Sequence, residues 1–218
     1  REIFGPVLHV ATFRADQLER VITDINARGY GLTFGLHTRI DSRVQEVTEA
    51  IHAGNIYVNR NQIGAVVGSQ PFGGEGLSGT GPKAGGPLYL ARFFAPDPVA
   101  AGTEWGKHAD SRVLGKHAAK AHEKPVSEQI MPGPTGELNR LMILPRGAVL
   151  CLGPGAETVR AQVAAVEALG GHALPVDGYL TPEALAAIKD ISAAIWWGDA
   201  EAGRAYMRAL ASRKGPIT

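Results

Sequence analysis

Leu32-Thr33-Phe34-Gly35-Leu36-His37 and Ile56-Tyr57-Val58 are short apolar runs, and between them Val44, Val47 and Ile51 fall on one face of a helix that Asp41 is expected to cap. Ala53-Gly54-Asn55 stops that helix. Strand, helix and strand in so short a span predict parallel α/β structure. Working toward the N-terminus, Leu18, Val21, Ile22 and Ile25 form another helical face, with Asp16 as its cap and Arg28-Gly29-Tyr30-Gly31 as its end. Before it, Val7 to Thr12 reads as a strand. Working the other way, residues 59–87 hold nine glycines and three prolines with no lasting periodicity. Their apolar punctuation (Ile63, Val66, Val67, Phe72, Leu77) predicts an ordered, functional loop. Leu88 to Phe94 then returns to strand.

A second α/β pattern follows. Ala95-Pro96-Asp97-Pro98 reads as a domain boundary, and Thr103 to Glu128 as a polar, mostly helical linker. Met131-Pro132-Gly133-Pro134-Thr135-Gly136 is a second break. Beyond it come a strand at Ala148 to Leu152, a helix at Glu157 to Leu169 and a strand at His172 to Val176. Thr181-Pro182-Glu183 opens the next helix, with proline in its first turn. Ala193 to Trp197 is a strand, its tryptophans facing either side of the sheet, and Asp199 caps a final helix. This is the first half of a Rossmann-like, doubly wound parallel domain. The expected organisation is 1–95, 96–130 and 131–218.

Composition narrows the function classes. Of 218 residues, 44% are apolar and 20% charged, which suits a folded protein. A net charge of +1 gives no electrostatic case for nucleic acid. The single cysteine, Cys151, excludes an intrachain disulfide and favours a reducing, cytoplasmic setting. No run is long and apolar enough for a transmembrane segment. Arg1-Glu2-Ile3-Phe4 is neither a start methionine nor a signal peptide, so both ends read as cuts within a longer protein.

Three stretches carry a family resemblance. Glu2-Ile3-Phe4-Gly5-Pro6-Val7 resembles the E-x-F-G-P motif of the aldehyde dehydrogenase superfamily. Gly54-Asn55-Ile56-Tyr57-Val58-Asn59, followed by Pro71-Phe72-Gly73-Gly74, resembles its closing motifs. Residues 70–86 resemble the glutamate semialdehyde dehydrogenase branch, and residues 59–68 the form found in bifunctional proline utilization A enzymes. Residues 130–218 resemble the extra C-terminal domain of the longer members.

The resemblance implies an NAD-dependent oxidation of L-glutamate γ-semialdehyde to glutamate. It implies that Glu2 contacts the nicotinamide ribose, where a carboxylate can accept two hydrogen bonds from a vicinal diol. Phe4 would pack near the nicotinamide ring. Gly64 and Ala65 would offer backbone N–H groups to the substrate carboxylate, small residues letting the backbone come close. Phe72 would wall the aliphatic chain. The family's cysteine nucleophile and general base lie upstream of the Glu2 motif, so no catalytic residue is expected here. An FAD proline dehydrogenase domain is implied upstream. The rival readings are a stand-alone aldehyde dehydrogenase with a C-terminal extension and a non-catalytic module that caps or interacts. Packing against the rest of the dehydrogenase and a homo-oligomer are also expected.

Other candidates read as structural. Lys83 lies among glycines without the phosphate-loop spacing, and Asn59 is expected to tie down loop backbone. Cys151 sits in an apolar strand, where a thiol is usually inert. Gly153-Pro154-Gly155 follows a strand and opens a helix, but Thr158 stands where a dinucleotide fingerprint needs glycine. Asp177 lies roughly where a ribose-binding acid would fall. His108, His117 and His122 lie in a mildly basic stretch without zinc-pair spacing, so no metal site is expected.

Overall fold

A computed structural model describes residues 3, 5–94, 105–112, 114 and 126–213. The chain divides into two compact units, Arg1–Ile63 with Gly74–Gly79, and Gly64–Gly73 with Thr80–Thr218.

The first unit is built on the predicted βαβ element. Strand β2 (Thr33–Leu36) pairs in parallel with β3 (Asn55–Val58), and helix α2 (Asp41–Ala50) connects them. Helix α1 (Leu18–Asn26) brings Ile22 to Val47 and Ile51, and these three buried residues form the unit's core. Two short strands, β1 (Tyr30–Gly31) and β4 (Glu75–Gly76), pair antiparallel. Gly31 permits a close approach there, because a Cβ would lie 2.1 Å from the His52 carbonyl oxygen. Asn59 meets its expectation: it sits at φ 55°, and its Oδ1 accepts a hydrogen bond from the Thr38 N–H at 2.9 Å.

Several local expectations change. Residues 7–14 carry no regular structure and are exposed, because no strand among the described residues pairs with them. Asp16 lies inside a 3-10 turn (Ala15–Gln17) and pairs with Arg14 at 2.8 Å, so it does not cap α1. Ile40 is the N-cap of α2, and Asp41 occupies its first turn, where its charge still favours the helix dipole.

The second unit holds the later α/β pattern. Strand β7 (Ala148–Cys151) is central and parallel to both β8 (Ala173–Pro175) and β9 (Ile191–Ile195). The sheet order β8-β7-β9 puts the first strand between the second and third, whereas a Rossmann half runs third, second, first. Helices α3 (Gly155–Ala168), α4 (Pro182–Ala187) and α5 (Ala200–Ala211) complete the unit. Every residue of β7 is buried, with Leu150 and Cys151 fully so. Alternate β7 residues face two clusters, Ala148 and Leu150 on one side and Val149 and Cys151 on the other. Asp199 Oδ1 accepts from Glu201 N and Ala202 N, so the predicted cap forms, and Thr181 Oγ1 accepts from Ala184 N at 3.2 Å where Thr181-Pro182 opens its helix. Trp196 lies just past β9 and meets Tyr206 edge-on at 5.3 Å.

The same unit contains an unpredicted hairpin. Strand β5 (Ser127–Met131) pairs antiparallel with β6 (Asn139–Ile143), across the Pro132-to-Gly136 turn read as a domain break. Leu88 to Phe94 is not a strand either: residues 90–93 form a 3-10 helix held by Tyr89 N to Gly86 O and Arg92 N to Tyr89 O. Local hydrogen bonds there replace those a partner strand would have supplied.

Candidate functional site

The glycine-rich stretch is ordered by specific contacts. Phe72 and Ala84 exchange two backbone hydrogen bonds, Phe72 N to Ala84 O at 3.0 Å and Ala84 N to Phe72 O at 2.8 Å. Lys83 reaches across the same pair of segments, its Nζ donating to Gly73 O at 2.6 Å. That is the structural role expected of it, and Phe72 is held half-buried between.

The segment just before is a tight turn. Ser69 N and Gln70 N both donate to Val66 O, and Val66 N donates to Gln70 Oε1 at 3.0 Å. Gly64 and Ala65 precede that turn, and no hydrogen-bond partner among the described residues engages their N–H groups. Gly64 is exposed, and a Cβ built on it meets nothing within 4 Å. Two consecutive small residues ahead of the turn therefore carry N–H groups without a partner among the described residues. Glu2 and Phe4, the candidates for NAD, lie outside the described residues; the chemistry of a carboxylate fits the ribose diol.

The other glycine loop, between β7 and α3, has the opposite character. Gly153 N donates to Gln162 Oε1 at 3.0 Å, and Gln162 Nε2 donates back to Gly153 O at 3.0 Å. Gln162 is fully buried. Trp197 N also donates to Gly153 O. Pro154 has no N–H to give. A dinucleotide phosphate would need these groups as outward donors, and two of the loop's three residues offer none. Asp177 is likewise engaged, accepting from Lys107 Nζ at 2.6 Å.

A cleft of about 540 Å³ opens at the C-terminal ends of β7 and β9, lined in part by Trp105, His108, Tyr179 and Trp196. Both indole N–H groups of the lining are engaged: Trp105 Nε1 donates to Leu152 O, and Trp196 Nε1 to Asp199 O. His108 stacks edge-on against Tyr179 at 5.6 Å. His117 and His122 lie outside the described residues, among which no cluster of potential metal ligands occurs.

Cys151 is inert by position. It is fully buried in β7, and burial, reinforced by the nearby charge of Glu167, pushes its thiol pKa up to about 11. Little thiolate exists there at neutral pH, so it is a poor nucleophile. Tyr206 is also raised above its ordinary value by burial and then by Tyr179 and Asp199, and its hydroxyl donates to Leu180 O at 2.8 Å.

Comparison with known proteins adds the family. Residues 1–97 match the aldehyde dehydrogenase family. The whole chain aligns at 40% identity with the "Bifunctional protein PutA" of Salmonella typhimurium, and at 41% with that of Rhizobium meliloti. It spans 20% of the length of each of these relatives. The 1-pyrroline-5-carboxylate dehydrogenase of Bacillus subtilis is 47% identical over 41% of this chain and 17% of its own length. A crystal structure of Bradyrhizobium japonicum proline utilization A shares 63% identity over 43% of this chain and 10% of that one, at a TM-score of 0.41. No helix among the described residues is long and apolar enough to cross a membrane.

One contributor escaped the sequence reading. Gln70 Nε2 donates to Glu137 Oε1 at 3.0 Å and to Asn139 Oδ1 at 3.1 Å, joining the Gly64-Ala65 turn to the β5–β6 hairpin. The two partners are 67 and 69 residues away in sequence, beyond the reach of any local motif.

Proposed function

We propose that this chain forms part of an NAD-dependent L-glutamate γ-semialdehyde dehydrogenase that acts in the breakdown of proline to glutamate. The carrying observation is the extent of similarity: bifunctional relatives align over the entire chain, and the monofunctional Bacillus subtilis dehydrogenase over 41% of it. That difference favours the bifunctional architecture over a stand-alone dehydrogenase with an extension. An FAD proline dehydrogenase would be carried elsewhere in the same polypeptide, and no residue here belongs to it. The domains would run 1–95, 96–130 and 131–218, the last a non-catalytic, doubly wound cover in a cytoplasmic homo-oligomer.

Within this reading each residue has a stated task. Gly64 and Ala65 bind the substrate α-carboxylate through their N–H groups, which the turn leaves available. Phe72 limits the space around the aliphatic chain. Glu2 accepts hydrogen bonds from the nicotinamide ribose, and Phe4 limits the movement of the ring. When bound, NAD supplies the hydride acceptor. The thiolate nucleophile and the general base come from outside these residues, so residues 1–218 alone are expected to form no NADH.

The test is Gly64→Val in the full-length gene product. The added side chain starts in open space, since a Cβ at Gly64 meets nothing within 4 Å, so the melting temperature should hold. The Michaelis constant for glutamate semialdehyde should rise about tenfold or more, because the carboxylate then loses close approach to charge-assisted donors. An unchanged Michaelis constant would sink the anchor assignment.

A further inference from the structure

We infer that Gln70 is a positioning residue for substrate recognition, holding the Gly64-Ala65 turn in register through the β5–β6 hairpin. This rests on the assignment of Gly64 and Ala65 as the carboxylate anchor. Gln70 uses its whole amide: Oε1 accepts from Val66 N, and Nε2 donates to both Glu137 and Asn139. Its backbone N–H also donates to Val66 O, so main chain and side chain together grip Val66, the residue that follows Ala65.

The far end is fixed as well. Asn139 Nδ2 donates to Glu137 Oε1 at 3.0 Å and to Pro132 O at 3.3 Å, which closes a three-residue ring at the hairpin turn. Gly133 lies against this ring, where a Cβ would come within 2.5 Å of Asn139 Nδ2. The orientation of the Gln70 amide follows from its surroundings. Turned over, it would set N–H against the Val66 N–H and its oxygen against the Glu137 carboxylate. The network therefore accepts one arrangement and transmits it to the two donors upstream. A hairpin far along the chain would thus tune affinity for the substrate carboxylate without touching the substrate.

A charge swap in the full-length gene product tests this. Gln70→Glu keeps an acceptor for Val66 N but sets a second carboxylate against Glu137. The Michaelis constant for glutamate semialdehyde should rise about tenfold while kcat changes by less than about threefold. Adding Glu137→Gln restores an N–H···O bond of reversed polarity and should return the Michaelis constant to within about threefold of the parent's. Should Gln70→Glu alone fail to fold, Asn139→Ala, which removes one Gln70 acceptor, should raise the same constant about threefold.

The outcomes separate the two ideas. If Gly64→Val weakens substrate binding but Gln70→Glu and Asn139→Ala do not, the anchor stands and the positioning role falls. If Gln70→Glu weakens it and Glu137→Gln fails to rescue a stably folded double variant, the positioning role falls again. If Gly64→Val is silent, both fall. Rescue in the double variant, with Gly64→Val impaired, supports both.

Discussion

The two glycine loops of this chain look alike in sequence and differ in what their backbone donors do. The Gly64-Ala65 turn keeps its N–H groups available and is braced from behind, through Val66 and Gln70. The Gly153-Pro154-Gly155 loop turns the Gly153 N–H inward to Gln162, which is fully buried, and has no N–H at Pro154. Glycine content alone therefore says little about ligand binding. What matters is whether a side chain has already taken the donors that a ligand would need.

Removing the plug in the second loop should produce the largest effect on stability. Gln162→Ala leaves the Gly153 N–H buried without its partner and opens space beneath the loop. The Gly153 carbonyl keeps one bond, from Trp197 N. An orphaned donor and a cavity together should cost about 3 kcal/mol in the stability of the second unit, read by denaturant unfolding of the full-length protein. If the variant instead keeps its stability and gains affinity for NAD, the contrast between the loops is wrong and Gln162 is a gate.

The sequence made one loop more legible than the other. The failure of the dinucleotide fingerprint at Thr158 and the missing N–H of Pro154 both pointed away from phosphate. The partner of Gly153 was not legible, because nothing in a helical pattern marks the glutamine at 162 as the one turned inward. The same limit hid Gln70, whose partners depend on a hairpin where the sequence pattern shows only a polar linker and a proline-glycine break. Elements marked by a strong local pattern came through: the βαβ unit at Thr33–Val58, the strand at β7, the helix opening at Thr181-Pro182, and the cap Asp199. Val7 to Thr12 and Leu88 to Phe94 did not, because an apolar run becomes a strand only when another strand pairs with it.

The chemistry beneath the second loop offers a smaller test, by pH. The Cys151 thiol is held at about 11 against an ordinary 9.0, mainly by burial. A raised pKa means the folded state keeps its proton where the unfolded chain has lost it. The contribution is therefore complete below pH 9 and is lost as pH climbs toward 11. Two pKa units correspond to about 2–3 kcal/mol. Unfolding free energies of the parent and of Cys151→Ala, measured from pH 8 to 11, should converge over that window. The variant comparison is needed because Tyr206, also raised, loses stability in the same direction at higher pH. Activity at neutral pH should be untouched by Cys151→Ala, and a large loss would mean the thiol has a role its position does not suggest.

The smallest effect concerns two aspartates that look equivalent in sequence. Each precedes a helix, and each was expected to cap one. Asp199 does: it accepts from Glu201 N at 2.9 Å and Ala202 N at 2.8 Å at the head of α5, close to the Gly153 loop's partner Trp197 in the chain. Asp41 instead sits inside the first turn of α2, with Ile40 as N-cap and no side-chain cap bond. Asp199→Ala should cost about 1 kcal/mol, since two amide donors lose their acceptor. Asp41→Ala should cost a few tenths, about 0.3–0.5 kcal/mol, because only a charge near the positive end of the helix is removed. Raising the salt concentration sharpens the difference, since it screens the charge effect and leaves a hydrogen-bonded cap largely intact. Equal losses at both positions, or a loss at Asp41 that ignores salt, would show that Asp41 makes a capping bond after all. The unit built on β2 and β3 would then be held by the same local device as the one built on β7.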